Sequence, residues 1–222
     1  MGDVSRFISG FRRFKQHYIG RGDNLLDRLV TEGQRPKALF IACCDSRTDP
    51  ALITDCDPGD MFVVRNVANI VPPYYVKADG YAGVSAAIEF AVCNLQIEHI
   101  VVLGHAQCGG IRALIQGVDS QAEDKTEFIG KWVNIAAPAR DKVLKELSGK
   151  PLEVQTRAVE QASILISLEN LLTFPWIRSR VEAGTLALHG WYFDLAGNNL
   201  LNYNPETSRF EEMAYEDATF KE

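Results

Sequence analysis

Two short apolar runs, each ending abruptly in reactive side chains, constrain this chain more than any other feature of its 222 residues. Lys37-Ala-Leu-Phe-Ile-Ala42 stops at Cys43-Cys44-Asp45-Ser46-Arg47, and His99-Ile-Val-Val-Leu-Gly104 stops at His105-Ala-Gln-Cys108-Gly-Gly110. Continuous apolar runs of this length read as buried strands of a parallel sheet. In open α/β sheets, ligands bind just beyond the carboxyl ends of such strands. Two neighbouring strands of this kind bring Cys43 or Cys44 together with His105 and Cys108. Two thiolates and an imidazole are a zinc ligand set with a fourth position open, the pattern of a catalytic site. Adjacent strand residues face opposite ways, so spacing alone leaves open which of Cys43 and Cys44 is the ligand.

The rest of the chain alternates strands with helices, which predicts an α/β fold: a mostly parallel central sheet flanked by helices. A helical arm precedes it. Residues 4–31 carry one apolar stripe through Phe7, Phe11 and Phe14 and another through Leu25, Leu26, Leu29 and Val30. Such stripes rest on the chain's own core or on a partner chain. Met61-Phe-Val-Val64 follows the turn at Asp57-Pro-Gly59 as a further strand, and the small-residue stretch 80–93 reads as a closely packed helix. Gly109-Gly110 opens another helix, and 120–126 is polar and exposed. Residues 132–147 form an amphipathic helix kinked at Pro138, and 152–180 two helices divided at Phe174-Pro175. Residues 185–194, a turn at 197–199 and the stretch from Leu200 form a terminal hairpin. No repeat or linker interrupts 1–222, so one domain is expected, with 1–33 as its arm.

Twenty-three Lys and Arg against twenty-nine Asp and Glu give a net charge of −6 without a basic stripe. That argues against nucleic acid or an anionic membrane as partner. No apolar run approaches the roughly 20 residues of a membrane span. The start, Met1-Gly-Asp-Val-Ser-Arg, lacks a secretory apolar core, and Arg6 breaks the myristoylation pattern at Gly2. Five cysteines, an odd number, are too few for a disulfide scaffold. Thiols reserved for metal or chemistry in the reducing cytoplasm are the reading that results.

Around the thiols, Asp45 is placed to ligate a metal or accept a hydrogen bond from its water, and Arg47 to keep it ionised. Gly109 and Gly110 offer backbone N–H groups to an anion, or serve tight packing. Cys56 and Cys93 read as inert buried thiols, and His99 and His189 as structural.

With these residues in place the chain resembles the β-class carbonic anhydrases over roughly residues 34–205. The resemblance rests on Cys-x-Asp-Ser-Arg at 43–47, Arg-Asn-Val-Ala-Asn at 65–69 and Gly-His-x-x-Cys-Gly-Gly at 104–110. The plant-like subgroup is nearest, through Val-Pro-Pro-Tyr at 71–74 and Glu169-Asn-Leu-Leu-Thr-Phe-Pro175. It implies one zinc per chain on Cys43, His105 and Cys108, with Asp45 and Arg47 as the catalytic pair. It also implies a substrate pocket lined by Gln34, Phe62, Phe90 and the amide of Gly109. The family often has Tyr at the position of Phe90, so that hydroxyl is absent here. The implied reaction is reversible hydration of carbon dioxide to bicarbonate and a proton, by metal-supplied hydroxide. The implied assembly is a homodimer or a dimer of dimers, arms crossing onto the partner and sites near the interface.

Two other readings use the same residues. A carbon disulfide or carbonyl sulfide hydrolase would share the ligands, and a structural zinc or redox-thiol module would use the vicinal Cys43-Cys44. Some relatives also hold inhibitory bicarbonate on a Trp, an Arg and a Tyr, with the motif Asp moved onto the metal. Here Arg65 is present, but Phe40 and Phe193 stand at the other two positions. The expectation is therefore an Asp45 that stays on Arg47.

Overall fold

The computed structural model describes residues 4–19, 25–75, 82–117 and 127–213. The polar stretch 120–126, the start of the expected helix at 80 and the junction of the arm at 20–24 lie outside these.

Strand β1 (Ala38–Cys43) is central because every side chain from Leu39 to Cys43 is buried. It pairs in parallel with β2 (Met61–Asn66) on one side and β3 (His99–His105) on the other, and β3 pairs in parallel with β4 (Ala187–Asp194). After β1 the chain steps to β2, then crosses back past β1 to form β3. The carboxyl ends of β1 and β3 are therefore the switch point of the sheet, where a crevice opens. The register Ala42↔Leu103 brings Cys43 and His105 to that crevice together.

The strands run β2-β1-β3-β4-β5-β6, where β5 (Asn199–Asn204) and β6 (Arg209–Glu212) are antiparallel. The expected terminal hairpin is thus a three-stranded meander. β6 escapes sequence reading because Phe210 is its single apolar residue; that ring packs on Tyr192 and Tyr203 and holds the strand in place.

The helices follow local chemistry. α1 (Ser5–Tyr18) and α2 (Leu25–Glu32) form the arm, and neither buries a residue; Phe7 is 74% exposed. α3 (Pro50–Thr54), not foreseen, starts where Asp49 accepts the N–H groups of Ala51 and Leu52 and Pro50 supplies a preset φ. α4 (Gly83–Glu89) continues into a π-turn over Phe90–Asn94. α5 (Gly109–Gln116) follows β3. The segment 132–147 is not one kinked helix. α6 (Glu127–Val133) ends in a 3₁₀ turn at 134–136, and Pro138 sits in the first turn of α7 (Ala137–Glu146), where no N–H is missed. α8 (Leu152–Leu171) and α9 (Pro175–Glu182) divide at Phe174-Pro175 as expected. α8 lies so close to β3 that a Cβ at Gly104 would stand 2.7 Å from Ile164 Cδ1.

Candidate functional site

Among the described residues, ligand atoms of Cys43, His105 and Cys108 lie within 4.8 Å of one another, all buried. The two sulfurs are 4.0 Å apart. His105 Nδ1 donates to the Ala106 carbonyl at 2.8 Å, which leaves Nε2 as the lone-pair nitrogen. Nε2 is buried and has no hydrogen-bond partner. A buried polar atom left so costs about 1–3 kcal/mol, a cost that a metal ion removes. Two sulfurs and one imidazole nitrogen suit a borderline-soft divalent cation, zinc above all. Cys44 is exposed, its N–H bound to the Asn66 carbonyl at 2.9 Å, so the pleat answers which cysteine faces the cluster.

The thiols are prepared for metal. The Cys108 S–H, then His105 and the Ala68 N–H, pull the Cys43 thiol down, while Cys108 is pushed up by holding the shared proton. Burial alone would lower His105, but the Cys43 thiolate and the Ala106 carbonyl outweigh it and leave the ring above its ordinary value.

The turn after β2 supplies one of those donors. Asn66 pins it by bonding both the carbonyl (3.0 Å) and the N–H (2.9 Å) of Ile70. Ala68 is left-handed, φ 64°, and aims its N–H at Cys43 Sγ, 3.4 Å away. Such a conformation costs a non-glycine residue roughly 1–2 kcal/mol. α5 rests on this turn: a Cβ on Gly110 would sit 2.7 Å from Val67 Cγ1 and 2.9 Å from Ala68 Cβ, whereas one on Gly109 would meet nothing within 4 Å. Gly110 is thus a packing glycine, and Gly109 faces open space.

Arg47 binds Asp45 through Nε at 2.9 Å and Nη2 at 2.8 Å and holds its carboxyl well below the usual carboxylate range. Arg47 Nη2 also reaches the Gln107 carbonyl at 3.3 Å. Arg65 spends its guanidinium on the same loop. Nε donates to the Cys43 carbonyl (2.9 Å), Nη2 to the Asp45 carbonyl (2.7 Å) and Nη1 to Asp49 Oδ2 (2.7 Å).

The remaining residues singled out in the sequence lie elsewhere. Gln34 is exposed in the loop before β1, at the end of the strand opposite Cys43. Phe62 is level with Leu39 and packs on Phe90, ring centroids 5.9 Å apart. Four strand residues separate Phe62 from the level of Cys43, about 13 Å. One chain therefore does not bring Gln34, Phe62 and Phe90 to its own cluster. Cys93 is exposed rather than buried and Cys56 half-buried, beside Thr54 Oγ1 at 3.0 Å. His99 and His189 bond each other at 3.1 Å.

Glu160 was missed. It is buried on α8, accepting the Cys108 N–H at 2.9 Å and the Tyr192 O–H at 2.8 Å. Burial pushes its carboxyl up, and these donors offset part of that. The available signal was an acid at the period of Val159, Ser163, Ile164, Ser167 and Leu171, the buried stripe of α8.

A redox pair needs Cys43 and Cys44 to face each other, and a structural zinc needs a fourth protein ligand. Cys44 is turned outward and Asp45 is held by Arg47, so the arrangement favours neither.

Comparison with known proteins gives a family model described as carbonic anhydrase, matching residues 38–200. The chain is 39% identical to beta carbonic anhydrase 3 of Arabidopsis thaliana over 191 residues, 86% of this chain and 73% of the relative. It is 37% identical to a carbonic anhydrase of Synechocystis sp. over 201 residues, 90% of this chain and 71% of that one. The solved β-carbonic anhydrase CcaA superposes with a TM-score of 0.85 at 35% identity, covering 95% of this chain and 92% of the other. A tetrameric β-carbonic anhydrase of Sordaria macrospora superposes with a TM-score of 0.73 at 26% identity, covering 90% and 94%.

Proposed function

The chain belongs to the β-class carbonic anhydrases, and on that premise we propose how its residues divide the work. The reaction is reversible hydration of carbon dioxide to bicarbonate and a proton, with one zinc per chain. The Cys43 and Cys108 sulfurs and His105 Nε2 would hold the metal. When bound, zinc lowers the pKa of a water from 15.7 to about 7 and so supplies hydroxide at neutral pH. Asp45, kept ionised by Arg47, would accept a hydrogen bond from the nucleophile such a metal supplies and so orient it. The N–H of Gly109, an exposed residue at the start of α5, would donate to an oxygen of the substrate or of bicarbonate.

The observation that carries this reading is His105 Nε2, buried and unpartnered beside two sulfurs, with a clamped carboxylate two residues from Cys43. Stopped-flow hydration of carbon dioxide by metal-quantified protein tests it. Turnover proportional to bound zinc is expected, and zinc-loaded protein without turnover would end the assignment.

We propose further that 1–222 acts as one domain and that its arm, 1–33, docks on a second copy. The support is the apolar face of α1, where Phe7, Ile8 and Phe11 are each more than half exposed. In a homodimer or dimer of dimers, Gln34, Phe62 and Phe90 serve the zinc site of the second copy; Phe90 is 44% exposed in the single chain. That the β-carbonic anhydrases of Sordaria macrospora are tetrameric supports paired dimers. No helix among the described residues is long and apolar enough to cross a membrane. The five free cysteines support a reducing, cytoplasmic setting.

A further inference from the structure

We propose that Glu160 is a positioning residue: from behind the sheet it sets the turn 105–108, and through that turn both the Cys108 sulfur and the Arg47–Asp45 pair. The inference rests on the metal-site reading above.

The turn is held from three sides. The Ala106 N–H donates to the Phe193 carbonyl of β4 at 2.9 Å. Glu160 Oε1 accepts the Cys108 N–H at 2.9 Å. Arg47 takes the Gln107 carbonyl at 3.3 Å. Gln107 itself is left-handed, φ 58°, a conformation that a side chain tolerates only when its surroundings fix it. The Cys108 N–H on Glu160 on one side and the Gln107 carbonyl on Arg47 on the other hold it in that conformation. Glu160 is fixed in turn by the O–H of Tyr192, which is fully buried.

A residue present only to fill α8 would be apolar, as Val159, Ile164 and Leu171 are. A buried carboxylate is tolerated when its oxygens are matched with donors, and here the donors are the backbone of a metal-ligand turn. Glutamine cannot replace it fully, since its NH₂ would face either the Cys108 N–H or the Tyr192 O–H. Ala106, Gln107, Glu160 and Tyr192 also line a cavity of about 560 Å³, so truncating Glu160 would open the Cys108 side of the turn to it.

The test compares E160A and E160Q with the parent protein. Three readouts are used: the thiolate-to-metal absorption of cobalt-loaded protein, the rate of zinc transfer to a chelator, and kcat and KM for hydration. E160A should release zinc about tenfold faster or more, in line with the effect of groups that orient metal ligands. It should also shift the cobalt absorption and lower kcat, with E160Q in between. A purely structural role predicts lower thermal stability with parental absorption and release rate in the folded protein, and that result would overturn the proposal. If E160A does not fold, E160Q decides alone: parental absorption and release overturn, altered values support. If zinc-loaded parent protein lacks hydration while the variants still change absorption and release, the activity assignment fails and the role of Glu160 stands.

Discussion

Arg47 holds both carboxylate oxygens of Asp45, Nε on Oδ1 at 2.9 Å and Nη2 on Oδ2 at 2.8 Å, with its own backbone N–H on Oδ1 at 3.0 Å. A planar fork on a planar carboxylate fixes direction as well as charge. Asp45→Asn keeps the shape but puts an NH₂ against donors of Arg47. It should bind zinc normally and lose hydration rate by about 10² or more, the range of a positioned acid–base partner. Turnover near that of the parent would remove Asp45 from the reaction.

Cys43 and Cys44 should part company when each is changed to Ser. Cys43 points at His105 and Cys108 from a buried strand end, while Cys44 is exposed. Cys43→Ser is expected to lose zinc and activity together, and Cys44→Ser to keep both. Metal analysis of the two purified variants checks this, and zinc loss in the Cys44 variant would reverse the ligand assignment.

What was legible in the sequence was whatever depends on local chemistry. Two apolar runs ending in thiols and imidazole predict β1, β3 and the cluster between them, and Asp45 and Arg47 lie two residues apart on one loop. Glu160 was not legible, because it reaches Cys108 from 52 residues away through tertiary packing. β6 was missed for the same reason: Arg209-Phe-Glu-Glu212 has no periodicity of its own, and Phe210 finds its partners on β4 and β5. The separation of Phe62 and Phe90 from the metal cluster follows from strand register, which single-strand patterns do not encode.

The arm makes a separate prediction. α1 carries Phe7, Ile8 and Phe11 without burying them, a contiguous exposed apolar face of the kind that marks an interaction surface. Deleting residues 1–33 should give monomer or aggregate in light scattering and should depress hydration, because Gln34, Phe62 and Phe90 no longer reach a second copy. A soluble, fully active dimer after the deletion would leave the arm without this role.

The last prediction concerns acid pH. An inhibitory bicarbonate at the position seen in some relatives needs free donors, and here they are spent or missing. Arg65 is taken up by two backbone carbonyls and Asp49. Phe40 is buried against Trp191, ring centroids 5.5 Å apart, and like Phe193 has no polar hydrogen to offer. Leaving an anion short of donors costs on the order of 1–3 kcal/mol or more. Arg47 depresses the pKa of Asp45. The sign follows: the ion pair is complete above the usual carboxylate range and is lost only as pH falls below it. Asp45 therefore stays ionised across the neutral and mildly acid region, and what is expected to keep it off the metal there is the two-point grip of Arg47. Hydration should then fall with acid as the titration of a single group near pH 7, the value expected for water on zinc. Added bicarbonate should act only as product, without steepening the curve. A cooperative, bicarbonate-dependent loss of rate near neutral pH, or a crystal structure with Asp45 on the zinc under those conditions, would overturn this account of the Arg47–Asp45 pair.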